Sequence, residues 1–100
     1  MNSHLNKQQI LDSIKAQRDR LDEFSVSALF LFGSFARDEA TSASDIDFLV
    51  EFSRPVGLFT YLGLKSFLED LFDCSVDLGT PSSLRLTVRE SVLAEAIRAV

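Results

Sequence analysis

The chain has 100 residues, of which 46% are apolar and 25% charged, and fifteen acids against ten bases leave a net charge of −5. That length predicts one domain over residues 1–100 with a single core that needs no staple, and the lone Cys74 precludes an internal disulfide. An acidic chain also lacks the basic surface by which proteins track nucleic acid, so direct binding to DNA or RNA is not expected. The longest apolar run, residues 28–32, is far below the ~20 residues of a membrane helix. The polar start Met1-Asn2-Ser3-His4 is unlike a secretory signal. With one cysteine, the expected setting is reducing and cytoplasmic.

In chain order, a helix comes first. Ile10, Leu11, Ile14 and Leu21 recur at helical spacing over residues 6–21, and Asn6 followed by Gln9 has the form of a capping box. Val26, Ala28, Phe30 and Phe32 then alternate with Ser25, Ser27, Leu29 and Leu31. The pattern becomes apolar on both sides towards Gly33, as in a central strand. A short helical piece over residues 34–38 and a small-residue loop over residues 40–44 lead to a second strand, Ile46–Phe52, which stops before Arg54-Pro55. Leu58, Leu62, Leu64, Phe67, Leu68 and Leu71 mark an amphipathic helix whose wet side carries Lys65, Ser66, Glu69 and Asp70. A third strand covers residues 74–78, and Thr87 with Glu90 opens a last helix through Val88, Val92 and Ala96 to the chain's end. The expected fold is a small α/β domain, a three-stranded mixed sheet with helices packed against it.

The informative stretch is residues 31–50. An apolar strand ending in Gly33-Ser34 stops at a tight turn where the backbone can approach a ligand, and the helix start beyond it offers unpaired amides to a phosphate. After ten intervening residues come Asp45 and Asp47, which point the same way on a strand with Cα atoms roughly 6.5–7 Å apart. Asp77 lies between Val76 and Leu78 on the third strand, on the face those two do not bury. If the acids share a face, three carboxylates meet at one end of the sheet. Unit charges about 4 Å apart repel by about 4 kcal/mol at an effective dielectric of ~20, so such a cluster calls for cations. An all-oxygen set favours Mg²⁺ or Mn²⁺ over Zn²⁺. Arg37 reads equally as a surface residue and as a phosphate contact.

Other motifs fail on the same letters. A calcium loop would follow Asp47 with polar residues and Gly, but Leu49 and Val50 stand there. A serine hydrolase elbow needs glycines on both sides of Ser34 and a histidine partner, whereas His4 is the only imidazole. The Gly-Lys-Ser/Thr of a Walker loop is absent.

Gly33-Ser34-Phe35-Ala36-Arg37, Ser44-Asp45-Ile46-Asp47 and Val76-Asp77-Leu78 together resemble the minimal nucleotidyltransferases of the DNA polymerase beta superfamily. The resemblance implies an EC 2.7.7-type enzyme in which Gly33 and Ser34, with Arg37 and Ser44, hold a nucleoside triphosphate such as ATP. Asp45 and Asp47 would hold two Mg²⁺ ions, and Asp77 would complete the site nearest the acceptor hydroxyl. Members often carry a Gly after the Arg, where this chain has Asp38 and Glu39. Acids facing a phosphate seat would oppose the triphosphate, so they either point outward or weaken nucleotide affinity. Stand-alone proteins of this size resemble the antitoxin half of a toxin–antitoxin pair. The implied partner is a HEPN-domain ribonuclease toxin, joined in a hetero-oligomer and neutralised by transfer of AMP to one of its tyrosines. The alternative is a catalytically silent module that masks the partner by contact.

Overall fold

Asn6 and Gln9 start the first helix as their spacing predicts. Asn6 Oδ1 accepts from the Gln9 amide at 2.9 Å, and the Asn6 amide donates to Gln9 Oε1 at 3.0 Å, which supplies partners for two amides that a helix start leaves over. The structure, a computed structural model, describes residues 5–41, 44–80 and 96–100. Over them run α1 (Lys7–Ala16), α2 (Arg18–Glu23), β1 (Val26–Phe32), α3 (Gly33–Ala36), β2 (Ile46–Phe52), α4 (Leu58–Phe72), β3 (Val76–Gly79) and β4 (Ile97–Arg98). The single helix expected over residues 6–21 is thus two. The Gln17 amide bonds to Ile14 O at 3.0 Å, a tightened last turn that ends α1.

The sheet is mixed, in the order β3-β2-β1-β4. β1 runs antiparallel to β2 and to β4, while β2 and β3 are parallel and joined through α4. The α/β class is as expected, but the sheet has four strands rather than three. Pairing with β2 alone would leave the other edge of the buried β1 without partners. Ile97 and Arg98 pair there with Leu31 and Phe30, and the Ala99 amide donates to Leu29 O at 2.7 Å. The helix expected to reach Val100 therefore does not extend over residues 96–100. Its start signal at Thr87 and Glu90, like His4, lies outside the described residues.

Strand register assigns side chains to two faces. Leu29 pairs with Val50, Leu31 with Phe48, Ile46 with Val76 and Phe48 with Leu78. These residues meet Ile10, Ile14, Leu21, Leu64 and Leu68 in one buried cluster. Each fully buried Leu, Ile or Phe contributes about 1.5–3 kcal/mol of transfer free energy, so this helix-covered face holds the sheet. The other face carries Phe30 with Leu49, Phe32 with Asp47, and Asp47 with Asp77.

α4 sits lower on its own periodicity than the sequence implies. Leu64 and Leu68 are buried, but Leu58, Phe59 and Leu62 are exposed, Phe59 by 92%. Lys65 and Glu69, expected in water, are half-buried, while Ser66 and Asp70 are exposed. Asp73, left-handed at φ 53, ends the helix.

Candidate active site

The Asp47 carboxylate fills the space that a side chain at Gly33 would need. Phe32 and Asp47 are register partners on adjacent strands, so the residue after Phe32 turns off the sheet directly over the Asp47 carboxylate. Gly33 has φ +75, and a Cβ built there would overlap Asp47 Oδ2 and lie 2.9 Å from its Cγ. Both the left-handed backbone and the contact exclude a side chain. The turn then enters α3, which Phe35 and Ala36 anchor in the core, with the half-buried Ser34 at its start.

On the other side of Asp47, parallel pairing sets Asp77 directly opposite. The two carboxyls face each other across adjacent strands, close enough for the charge of Asp77 to be felt at Asp47. Burial first, then the charges of Asp77 and Asp45, raise the Asp47 pKa to about 6, against a lowering influence from Arg37. Asp45 is exposed just ahead of β2 and acts on Asp47 through space. Among the described residues no group of three Asp, Glu, His or Cys side chains is arranged to hold a metal ion. What the fold brings into contact is the pair Asp47–Asp77.

The chemistry of that pair fits a hard divalent cation. Its donors are all oxygen, and the charge crowding that raises Asp47 is what a bound cation relieves.

The remaining sequence candidates fall around this pair. Arg37 is exposed, with Nε 3.0 Å from Glu39 Oε1, yet close enough for its charge to be felt at Asp47. Asp38 pairs with Lys7 of α1 at 3.2 Å. Both acids after the phosphate-seat motif thus have cationic partners. Asp38 also has φ +59, a left-handed conformation that glycine adopts at no cost and Asp tolerates better than most. Ser44 lies in the chain leading to Asp45, where its Oγ accepts from the Thr41 amide at 2.8 Å and its amide donates to Thr41 O at 3.0 Å. These bonds tie the residue before Asp45 back to Thr41.

Sequence reasoning missed Tyr61 and Glu69, both on α4 beside β3. The Tyr61 hydroxyl donates to the Leu78 carbonyl, and Glu69 Oε2 accepts from the Val76 amide at 3.1 Å. The available signal was the four-residue spacing of Tyr61, Lys65 and Glu69 on one stripe of the helix.

The nucleotidyltransferase domain family matches residues 13–99. The protein adenylyltransferase MntA of Thermococcus cleftensis is 35% identical over 94 residues, which is 93% of this chain and 95% of that protein. A solved structure designated a minimal nucleotidyltransferase superposes with a TM-score of 0.82 at 33% identity, over 96% of this chain and 98% of the other. A crystal structure of a toxin–antitoxin with AMP-PNP superposes with a TM-score of 0.70 at 23% identity, over 96% of this chain and 73% of the other, a likeness of fold alone.

Proposed function

This chain belongs to the nucleotidyltransferase domain family, and from that premise we propose that it moves AMP from ATP to a tyrosine hydroxyl of a HEPN-domain toxin, acting as an antitoxin in the cytoplasm. The observation that carries the reading is the meeting of Gly33, Asp47 and Asp77, a bare backbone turn pressed against a pair of carboxylates on adjacent strands.

In the proposed reaction the acceptor hydroxyl oxygen bonds to the α-phosphorus, the bond from that phosphorus to the bridging oxygen breaks, pyrophosphate leaves and the hydroxyl gives up its proton. Gly33 and Ser34 would seat the phosphates, since the turn presents backbone amides without a side chain in the way. Arg37, Nε-paired to Glu39 on the surface, would lend its charge to the same phosphates, with Ser44 holding the approach to Asp45. Asp45, Asp47 and Asp77 would hold Mg²⁺ or Mn²⁺, and Asp77, the more exposed member of its pair, would lie nearest the acceptor. When bound, such cations supply positive charge to the attacking and leaving oxygens of an in-line displacement. The exposed Leu58, Phe59 and Leu62 offer apolar surface for a protein partner.

The test is the mass of the co-expressed toxin after incubation of the complex with ATP and Mg²⁺. A gain of one or more AMP groups, reduced by at least about 10²-fold in rate when Asp45→Asn or Asp47→Asn removes a charge from the site, is the expected result. Full neutralisation of the toxin by those variants, with no mass change in the wild-type complex, would replace transfer by masking.

A further inference from the structure

Two side chains of α4 grip β3 on either side of Asp77. β3 is an edge strand of four residues. Its Asp77 faces β2 in register with Asp47, so the backbone groups of Val76 and Leu78 point to the outer edge, because successive residues alternate their hydrogen bonds between the two sides of a strand. On that edge Glu69 Oε2 takes the Val76 amide at 3.1 Å and the Tyr61 hydroxyl donates to the Leu78 carbonyl. Lys65, one turn from each, bonds Glu69 Oε2 at 3.2 Å. A short edge strand with bare outer groups is prone to local opening; this one is tied down at the residues before and after the acid. The protonation states suit the bonds. Burial, and next the charge of Asp77, raise the Tyr61 pKa and keep its hydroxyl a donor. The Val76 amide, and next Lys65, lower that of Glu69 and keep it an acceptor.

We infer that Tyr61 and Glu69 are positioning residues that, by fixing the backbone of Leu78 and Val76 to α4, set the Asp77 carboxylate against Asp47. The inference rests on the reading above, in which that acid pair holds a divalent cation for nucleotidyl transfer. Neither residue is on the elements proposed to seat the phosphates, so their loss changes cation affinity and turnover and leaves nucleotide KM where it was.

The experiment compares wild type, Tyr61→Phe, Glu69→Ala and Glu69→Gln in two readouts: Mn²⁺ binding to the nucleotide-free protein by electron paramagnetic resonance, and steady-state transfer to the partner. Tyr61→Phe and Glu69→Ala are each expected to weaken Mn²⁺ binding and lower kcat by about fivefold, the scale of one net hydrogen bond, with nucleotide KM changed by less than about twofold. Glu69→Gln keeps an acceptor for the Val76 amide and restores most of both. Leu71→Ala, a control for plain destabilisation, lowers Tm without moving Mn²⁺ affinity. Wild-type Mn²⁺ affinity in Tyr61→Phe and Glu69→Ala, or equal defects in Glu69→Gln and Glu69→Ala, overturns the positioning role while leaving the transfer reading intact. Weakened Mn²⁺ binding in the variants, with no nucleotide transferred even by wild type, upholds positioning and removes the transfer reading. A wild type that binds no Mn²⁺ overturns the inference.

Discussion

The two faces of this sheet are made from alternate residues of the same strands, yet opposite physics governs them. On the helix-covered face, Leu31, Phe48 and Leu78 are removed from water against Ile10, Ile14, Leu64 and Leu68, and every contact favours folding. On the other, Asp47 and Asp77 are pressed together under the Gly33 turn, where like charge and burial oppose it. Stability made on one face tolerates strain on the other, and the strained face is where ligand binding has something to relieve.

The largest expected effect comes from the covered face. Phe48 is fully buried, with its ring centroid 6.1 Å from that of Phe72, and Phe48→Ala should cost about 3–5 kcal/mol in a urea melt. If the loss is below about 1 kcal/mol, the apolar face does not carry the fold and the contrast fails.

Next is the hinge between the faces. Gly33→Ala combines a left-handed backbone with a Cβ in contact with Asp47, and should cost about 2–3 kcal/mol. It should also lower transfer more than the stability loss explains, because the displaced group is the Asp47 carboxylate. An alanine variant with wild-type turnover would separate the turn from the site.

A smaller effect of opposite sign belongs to Asp47 itself. Its folded pKa of about 6 lies above the ~3.9 of an unfolded aspartate, so between those values the folded state binds more protons and stability falls as pH rises. In metal-free buffer Asp47→Asn should therefore be the more stable protein at pH 7.5 by about 1 kcal/mol, after discounting for partial solvent screening, and the gap should close by pH 4. Mg²⁺ should raise the wild-type Tm at pH 7.5 and leave the variant unmoved. A variant less stable than wild type at every pH would mean that the acids are not crowded.

The smallest effect is at Lys7. Its bond to Asp38 joins partly exposed groups, and Lys7→Ala should cost at most ~0.5 kcal/mol. If Asp38 is turned away from the phosphate seat mainly by this pair, nucleotide KM should rise in the variant and return at high salt; a KM independent of Lys7 would show that the backbone alone directs it.

What could be read from the letters follows the same division. Elements fixed by local chemistry were legible: the Asn6 cap, β2 over Ile46–Phe52, and the turn at Gly33, whose need for a bare Cα reflects close approach by another group. The parity of Asp47 and Asp77 set them on the face opposite Ile46, Phe48, Val76 and Leu78, where the register pairs them. Features fixed by distant partners were not legible. Ile97 and Arg98 form a strand only because Leu31 and Phe30 offer an edge, and the run of Val88, Val92 and Ala96 has helical spacing. Lys65 and Glu69 look like an ordinary solvated pair four residues apart, and only β3 alongside shows the second bond of Glu69. Nor does Asp38 in sequence disclose a backbone with φ +59.

The clasp of α4 on β3 has a further consequence for self-association. With Glu69 and Tyr61 occupying the outward amide and carbonyl of that strand, no incoming chain can extend the sheet there. Among the described residues the opposite border of the sheet is β4, only two residues long. A fibre that grows by adding strands to β3 has to strip the helix away first.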